Sequence, residues 1–228
     1  MKKLVVLSGA GISAESGIKT FRDAGGLWEG HDVTAVASPQ GWAENPRLVL
    51  DFYNQRRRQL LEVSPNAAHV AVADLQNFYE VTVVTQNVDD LHERAGAKRV
   101  LHLHGELKRV RSEQNPDLSY SWEKDLHWGD IADDGAQLRP DIVWFGEEVP
   151  LMPSAVDYVS EADVVLIIGT SLQVYPAAGL IHYAAGDVPI YYIDPKAHPS
   201  KVPSKVICLA DTAVGAMQIL YPQLVEQA

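Results

Sequence analysis

Leu4-Val5-Val6-Leu7-Ser8-Gly9-Ala10-Gly11-Ile12-Ser13-Ala14-Glu15-Ser16-Gly17-Ile18 is the stretch whose reading decides the fold. An apolar, partly β-branched run ends in Gly-x-Gly and a serine, which is how a parallel sheet builds a phosphate cradle. The glycines let backbone approach a diphosphate, and the next helix points its free N–H groups at it. Ala14 fills the third small position of that fingerprint. A Gly-x-Gly alone reads equally well as an ordinary strand-to-helix turn, so its surroundings must decide.

Runs that read as buried parallel strands recur at 4–7, 81–85, 100–103, 142–145, 164–168, 190–193 and 206–209. Helical patterns lie between several of them, at 89–95, 154–160, 176–185 and 212–224. This alternation predicts an α/β fold with a doubly wound parallel sheet. Two stretches break it. Residues 31–75 carry two helices, one opened by Asn45-Pro46 and one by Asn66. Residues 107–140 are polar and read as an irregular insertion. Both leave the sheet at the carboxyl side of strands, which predicts a smaller lobe over that edge and a site between the two.

Composition narrows the function classes. With 228 residues, 46% of them hydrophobic, the chain can bury one substantial core. A formal net charge of −11 argues against a general nucleic-acid or anionic-membrane role. No segment approaches the ~20 apolar residues of a membrane span. The apolar stretch after Met1-Lys2-Lys3 stops at Ser8-Gly9, too short for a signal peptide. The single cysteine, Cys208, excludes an intrachain disulfide and a multi-thiolate metal site. A soluble, cytoplasmic protein is expected.

Ligands of open α/β sheets sit beyond the carboxyl ends of strands. There the chain offers Gln86-Asn87-Val88-Asp89, His104-Gly105-Glu106, Gly146-Glu147-Glu148, Gly169-Thr170-Ser171 and Asp194-Pro195. Each has an ordinary explanation as a cap or turn; five at one edge do not. Alternation puts His102 and His104 on one face of their strand. His102 reads as a hydrogen-bonded structural residue, whereas Gly105 and the strand end turn His104 toward catalysis.

These segments, in this order, resemble the sirtuin signatures. They are Gly9-Ala10-Gly11-Ile12-Ser13-Ala14-Glu15-Ser16-Gly17-Ile18 with Phe21-Arg22, Thr85-Gln86-Asn87-Val88-Asp89, Leu103-His104-Gly105, Phe145-Gly146-Glu147 and Gly169-Thr170-Ser171-Leu172. The resemblance implies an NAD-dependent protein-lysine deacylase in one catalytic domain. Its Rossmann-like core would be 1–30, 76–106 and 141–228, its small lobe 31–75 and 107–140. It implies that Gly9, Ala10, Gly11 and Ser13 hold the diphosphate with Gly169, Thr170 and Ser171, and that Asp194 binds the adenosine ribose. Gln86, Asn87 and Asp89 would position the nicotinamide and its ribose, with Phe21 and Arg22 closing over them. Asn87 and Asp89 are thus catalytic candidates beside His104, the implied general base, whose ordinary pKa of ~6.5 suits the task. Nicotinamide, lysine and an O-acyl-ADP-ribose are the implied products. A peptide substrate would dock as an added strand between Gly146-Glu147 and the 172–175 loop, with Val143, Phe145 and Val174 beside it. A mono-ADP-ribosyltransferase or NAD hydrolase would use the same pocket. A non-catalytic NAD-binding module and a nicotinamide oxidoreductase fit less well.

The helix from Pro46 places Val49, Phe52, Tyr53, Arg56 and Leu60 on one face. A guanidinium on an otherwise apolar stripe needs an anionic partner or a route to the surface. Arg57 and Arg58 read as a solvated face. Tyr53-x-x-Arg56, with Ala37 as a small pocket residue, resembles the sirtuin branch that removes acidic acyl groups. That implies Arg56 as a fork for the carboxylate of succinyl- or malonyl-lysine, with the Tyr53 hydroxyl assisting. Sirtuins usually carry two zinc-binding cysteine pairs where 107–140 has none. Ser112 stands about where the first would fall. His127, Asp130, Asp133 and Asp134 read as a solvated acidic loop rather than a metal site, so no zinc is expected. Tyr120, Trp122 and Trp128 are candidates for an aromatic cluster in its stead.

Overall fold

The computed structural model describes residues 1–19, 27–28 and 30–228, with backbone alone at 27, 28 and 201. The opening run forms β1 (Lys3–Ser8) and passes through Gly9 into a short 3-10 helix, Ala10–Ser16. A minimal hairpin follows, β2 (Leu27–Trp28) and β3 (His31–Asp32). Next come α1 (Val33–Val36), α2 (Pro39–Glu44), α3 (Pro46–Glu62) and α4 (Ala67–Asp74). β4 (Glu80–Thr85), α5 (Leu91–Arg94) and β5 (Val100–His102) return to the sheet. Three more strands, β6 (Gly105–Ser112), β7 (Ser119–Ser121) and β8 (Leu138–Ile142), lie apart from it. The chain closes with α6 (Met152–Ser160), β9 (Val164–Ile168), β10 (Ile190–Ile193), β11 (Val206–Leu209) and α7 (Ala213–Gln227).

Six strands pair in parallel in the order β11-β10-β9-β1-β4-β5. This is the expected Rossmann-like, doubly wound sheet. The chain order reverses between β1 and β9, and that switch point is where such sheets open a ligand crevice. Both faces are covered, which is why the strands read as unbroken apolar runs. Leu4 and Val6 pack with Ala68 and Val72 of α4 and Leu220 and Leu224 of α7. Val5 and Leu7 pack on the other side with Ala155 and Val159 of α6. The stretch expected as a helix at 176–185 is a 3-10 helix, Ala177–Tyr183.

The remaining elements form the smaller part. Asn45 caps α3 by accepting the Leu48 N–H at 3.1 Å, and Pro46 occupies the first turn. One stripe of α3 (Val49, Phe52, Tyr53, Leu60) packs with Leu107, Ile142 and Trp144, and Leu50 packs with Val110, Leu126 and Leu138. Helix α3 is thus wedged between two apolar clusters. Two expectations need correction. Residues 142–145 do not form a fourth parallel strand: β8 ends at Ile142 and pairs antiparallel with β6, and Trp144 is buried against α3 instead. A four-residue apolar run fits either origin. Residues 107–140 are not irregular throughout, since they hold most of the three-stranded sheet β7-β6-β8.

Candidate active site

A cavity of about 620 Å³ lies over the carboxyl ends of β1, β4, β9 and β10. The sheet side contributes Gly9, Ala10, Gly11, Gln86, Asn87, Asp89, His104, Gly169, Thr170, Ser171 and Asp194. The helical side contributes Ala37, Tyr53 and Arg56, and the rim Val143, Phe145, Gly146, Glu147 and Val174. Sequence reasoning and the cavity wall therefore share nearly all their residues. Phe21 and Arg22 lie outside the described residues.

The two glycine loops are clamped to each other. Gly9 N–H donates to the Ile168 carbonyl at 3.1 Å and Gly11 N–H to the Gly169 carbonyl at 2.8 Å. Gly169 has a φ of +66°, and a Cβ there would come within 2.1 Å of the Ile12 nitrogen. The glycines thus permit loop-on-loop contact, and these two amides are already engaged. A Cβ at 9 would strike the Thr170 Cβ at 2.7 Å and one at 11 the Gly169 Cα at 2.7 Å, so glycine at both positions keeps the loops together and leaves backbone beside the Thr170 and Ser171 hydroxyls at the cavity floor.

Ser13, expected in the diphosphate cradle, lies behind the cavity wall in this structure. It is fully buried behind Asn87 and Asp89. Its Oγ donates to Asp89 Oδ2 at 2.9 Å and accepts from Asn87 Nδ2 at 3.1 Å. His69 stands behind Ser13. Its Nδ1 accepts the Asn66 N–H, so Nε2 carries the proton and faces Ser13 Oγ at 3.4 Å. Next to it, His92 Nε2 lies 2.9 Å from Ser8 Oγ, which donates to Thr85 Oγ1. Burial pulls His69 down to about 4 and His92 to about 3, so both are neutral. Burial also raises the Asp89 carboxyl, against the Ser13 bond. Sequence reasoning missed this layer; the one signal was His69 three residues after the capping Asn66.

The two histidines expected on one strand separate cleanly, since β5 ends at His102 and His104 lies in the turn that leads into β6. His104 Nδ1 lies 3.1 Å from the Gln86 carbonyl, which can only accept, so Nδ1 is protonated and Nε2 keeps a lone pair. Burial lowers its pKa, partly opposed by that bond. His102 meets acceptors at both nitrogens, the Asn87 carbonyl at 3.0 Å and Glu93 Oε1 at 2.7 Å. Burial works against its charge, but Glu93 outweighs it and the pKa rises. An imidazolium held on both sides is structural; a neutral imidazole in a cavity wall can remove a proton. Gly105 must follow His104, because β6 passes so close to residue 141 that a Cβ would sit 2.0 Å from its carbonyl oxygen.

In the helical wall, the Arg56 guanidinium lies 4.4 Å from the Phe52 ring centre. Tyr53 Oη accepts from Trp144 Nε1 at 3.0 Å. Arg57 is not on a solvated face. It is 1% exposed, and its Nε donates to the Leu107 carbonyl and its Nη1 to Asn54 Oδ1, both at 2.8 Å. Burial pulls it down to about 10. Asn54 in turn binds both the N–H and the carbonyl of Leu126. Arg58 does pair at the surface, with Asp125.

In the cysteine-free stretch, among the described residues, no cluster of three or more His, Cys, Asp or Glu could hold a metal. Tyr120 and Trp122 join the Leu50 cluster, whereas Trp128 is half exposed against Trp42. No helix among the described residues is long and apolar enough to cross a membrane.

Comparison with known proteins is consistent with this geometry. The Sir2 family model matches residues 9–176. A Helicobacter pylori (strain J99) protein called an NAD-dependent protein deacylase is 67% identical over 228 residues, covering 100% of this chain and 97% of the relative. A crystal structure of a Sir2 homolog–NAD complex superposes with a TM-score of 0.87 at 38% identity, covering 99% of this chain and 90% of that one. A Sir2 complex with a deacetylated p53 peptide and 3′-O-acetyl-ADP-ribose gives 0.80 at 28% identity, covering 96% and 92%.

Proposed function

The chain belongs to the Sir2 family and is an NAD-dependent protein deacylase, and from that premise we propose that its acyl pocket accepts acidic lysine modifications, succinyl and malonyl, as well as acetyl. One observation carries the reading: Arg56 stands in the wall of the cavity that holds His104, with Tyr53 beside it and the small Ala37 nearby. A guanidinium fork in a mostly apolar wall suits a carboxylate placed at a fixed distance from the reacting lysine.

The residues present fit NAD. Gly9, Ala10 and Gly11, with the Thr170 and Ser171 hydroxyls, offer a floor of backbone and small side chains for a diphosphate, and Asp194 a carboxylate for ribose hydroxyls. When bound, NAD supplies an activated glycosidic carbon whose leaving group is nicotinamide. Asn87 and Asp89, fixed from behind by Ser13, orient the ribose and carboxamide. His104 Nε2 accepts the proton of a ribose hydroxyl. The rim at Val143, Phe145, Gly146, Glu147 and Val174 takes the peptide as an added strand. In this reading the parallel sheet and its helices form the cofactor lobe, α4 among them because it packs on the sheet rather than with the small lobe as expected, and 31–62 with 107–140 form the acyl lobe.

The test is Arg56→Met assayed on acetyl-, malonyl- and succinyl-lysine peptides. A hydrogen bond to a charged group contributes ~1.5–3 kcal/mol, so desuccinylation should fall roughly 10–100-fold relative to deacetylation. Equal losses would make Arg56 a structural residue and end the acidic-acyl reading. Because burial lowers His104, the base should be active down to a pH below the ordinary histidine value of ~6.5, activity falling only as pH drops through the lowered value. An acid limb centred above pH 7 in a kcat profile would contradict that placement.

A further inference from the structure

We infer that Trp144 is a specificity-positioning residue, its indole N–H setting the Tyr53 hydroxyl as a hydrogen-bond donor for the distal carboxylate of an acidic acyl group. The inference rests on the acidic-acyl reading above. An indole nitrogen can only donate, and Trp144 Nε1 lies 3.0 Å from Tyr53 Oη. The tyrosine oxygen therefore accepts at that side, and toward a carboxylate, which can only accept, it acts through its own O–H. Burial raises the Tyr53 hydroxyl above the ordinary phenol range, so the proton stays on at working pH. A donor of fixed direction is useful to an acyl group that ends in an acceptor. An acetyl group ends in a methyl and has no use for it.

The indole is itself held on several sides, which makes the direction reproducible. The Arg139 guanidinium carbon lies 3.3 Å from the ring centre. Arg139 forks onto Glu147, with Nη1 to Oε1 at 2.7 Å and Nη2 to Oε2 at 3.1 Å. Glu147 Oε2 also accepts the Trp144 backbone N–H at 2.7 Å. Burial works against the Glu147 carboxylate, but Arg139 outweighs it and keeps it ionised. Arg139, Glu147, Trp144 and Tyr53 thus form one continuous chain from β8 to α3, ending at the pocket wall.

The cleanest variant replaces Trp144 by benzothienylalanine, which keeps the bicyclic shape and exchanges the N–H for sulfur. Trp144→Phe is the encoded alternative if incorporation fails, and melting temperature and NAD binding report folding for both. The expected result is a KM for a succinyl-lysine peptide raised about 3–10-fold, the loss of one neutral hydrogen bond's orienting effect, with kcat little changed and a clearly smaller effect on the acetyl peptide. In a Tyr53→Phe background the same change at 144 should add nothing, because there is no hydroxyl left to orient. Equal losses on both peptides, or a full additional loss in the Tyr53→Phe background, would overturn the inference. If Arg56→Met separates the acyl groups and the Trp144 variants do not, this inference alone fails. If Arg56→Met does not separate them, the acidic-acyl reading itself has failed.

Discussion

The sheet edge and the lobe facing it across the cavity are ordered by opposite means. In the sheet, parallel ladders and alternating apolar side chains fix the backbone, and the site residues are what is left at the strand ends. In the lobe, side chains tie backbone to backbone. Gln137 Nε2 shares its two hydrogens among the carbonyls of His127, Asp130 and Leu138 at 3.1, 3.0 and 2.9 Å, and its Oε1 accepts the Gly129 N–H at 2.7 Å. Asn54 and Arg57 stitch α3 to residues 107 and 124–126 in the same manner. One amide side chain here gathers four backbone groups, a task that bound metals often perform in small modules. On the proposed reading, chemistry and acyl selectivity would then sit on frames with different failure modes, a backbone ladder for the first and side-chain hydrogen bonds for the second.

His104→Ala should therefore be the largest functional effect with the smallest structural one. Removing a general base lowers turnover roughly 10²–10⁴-fold, while melting and NAD binding should hold, since the strand ladder does not depend on the imidazole. Unchanged turnover would remove His104 from the mechanism and make the sheet edge a binding surface only. The buried layer behind it should show in acid. His69 and His92 are neutral when folded, with burial pulling them to about 4 and about 3, whereas unfolded histidine titrates near ~6.5. Between those values the unfolded chain binds more protons, so stability falls as pH drops below about 6.5, by up to ~1.4 kcal/mol per pH unit for each histidine. Urea melts between pH 8 and 4.5 would show it, and His92→Gln should flatten the slope. A flat profile in the unsubstituted protein would mean that these rings are not dry.

Legibility in the sequence follows the same division. β1, β4 and β9 announced themselves because strands buried on both faces need continuous apolar runs, and Asn45-Pro46 and Asn66 marked helix starts by capping chemistry. His104 was legible because a strand end and an obligatory glycine coincide. Arg57 was not. It belongs to a second stripe of α3, Leu50-Asn54-Arg57, at i, i+4, i+7, but two of its three members are polar, and hydrophobic periodicity cannot see a face buried by hydrogen bonds. The 142–145 run misled for the converse reason, since apolar residues beside a helix look like a strand. Ser13, too, carries a signature whose sequence position does not tell which layer its hydroxyl faces.

The smaller effects belong to the lobe, and they test whether side-chain hydrogen bonds order it. Gln137→Ala removes its bonds to four backbone groups, but the His127 and Asp130 carbonyls keep the Asp130 and Leu138 N–H groups, so the cost should be roughly 1–3 kcal/mol. Chelation should leave the melting temperature unchanged. One equivalent of bound zinc, lost with His127→Ala, would replace this account with a metal-based one. Ser112→Ala comes last. Its hydroxyl donates to Asp134 Oδ2 at 2.7 Å and accepts the N–H groups of Gln114 and Asn115 at 3.1 and 3.2 Å. Burial of Ser112 keeps water from substituting fully, yet Asp134 remains exposed and can rehydrate. The loss should therefore be about 1 kcal/mol, read as a shift in midpoint without a change in m-value. A shift as large as that of Gln137→Ala would mean that the 112–115 turn and the 127–137 loop order each other, so that the lobe has one knot rather than two.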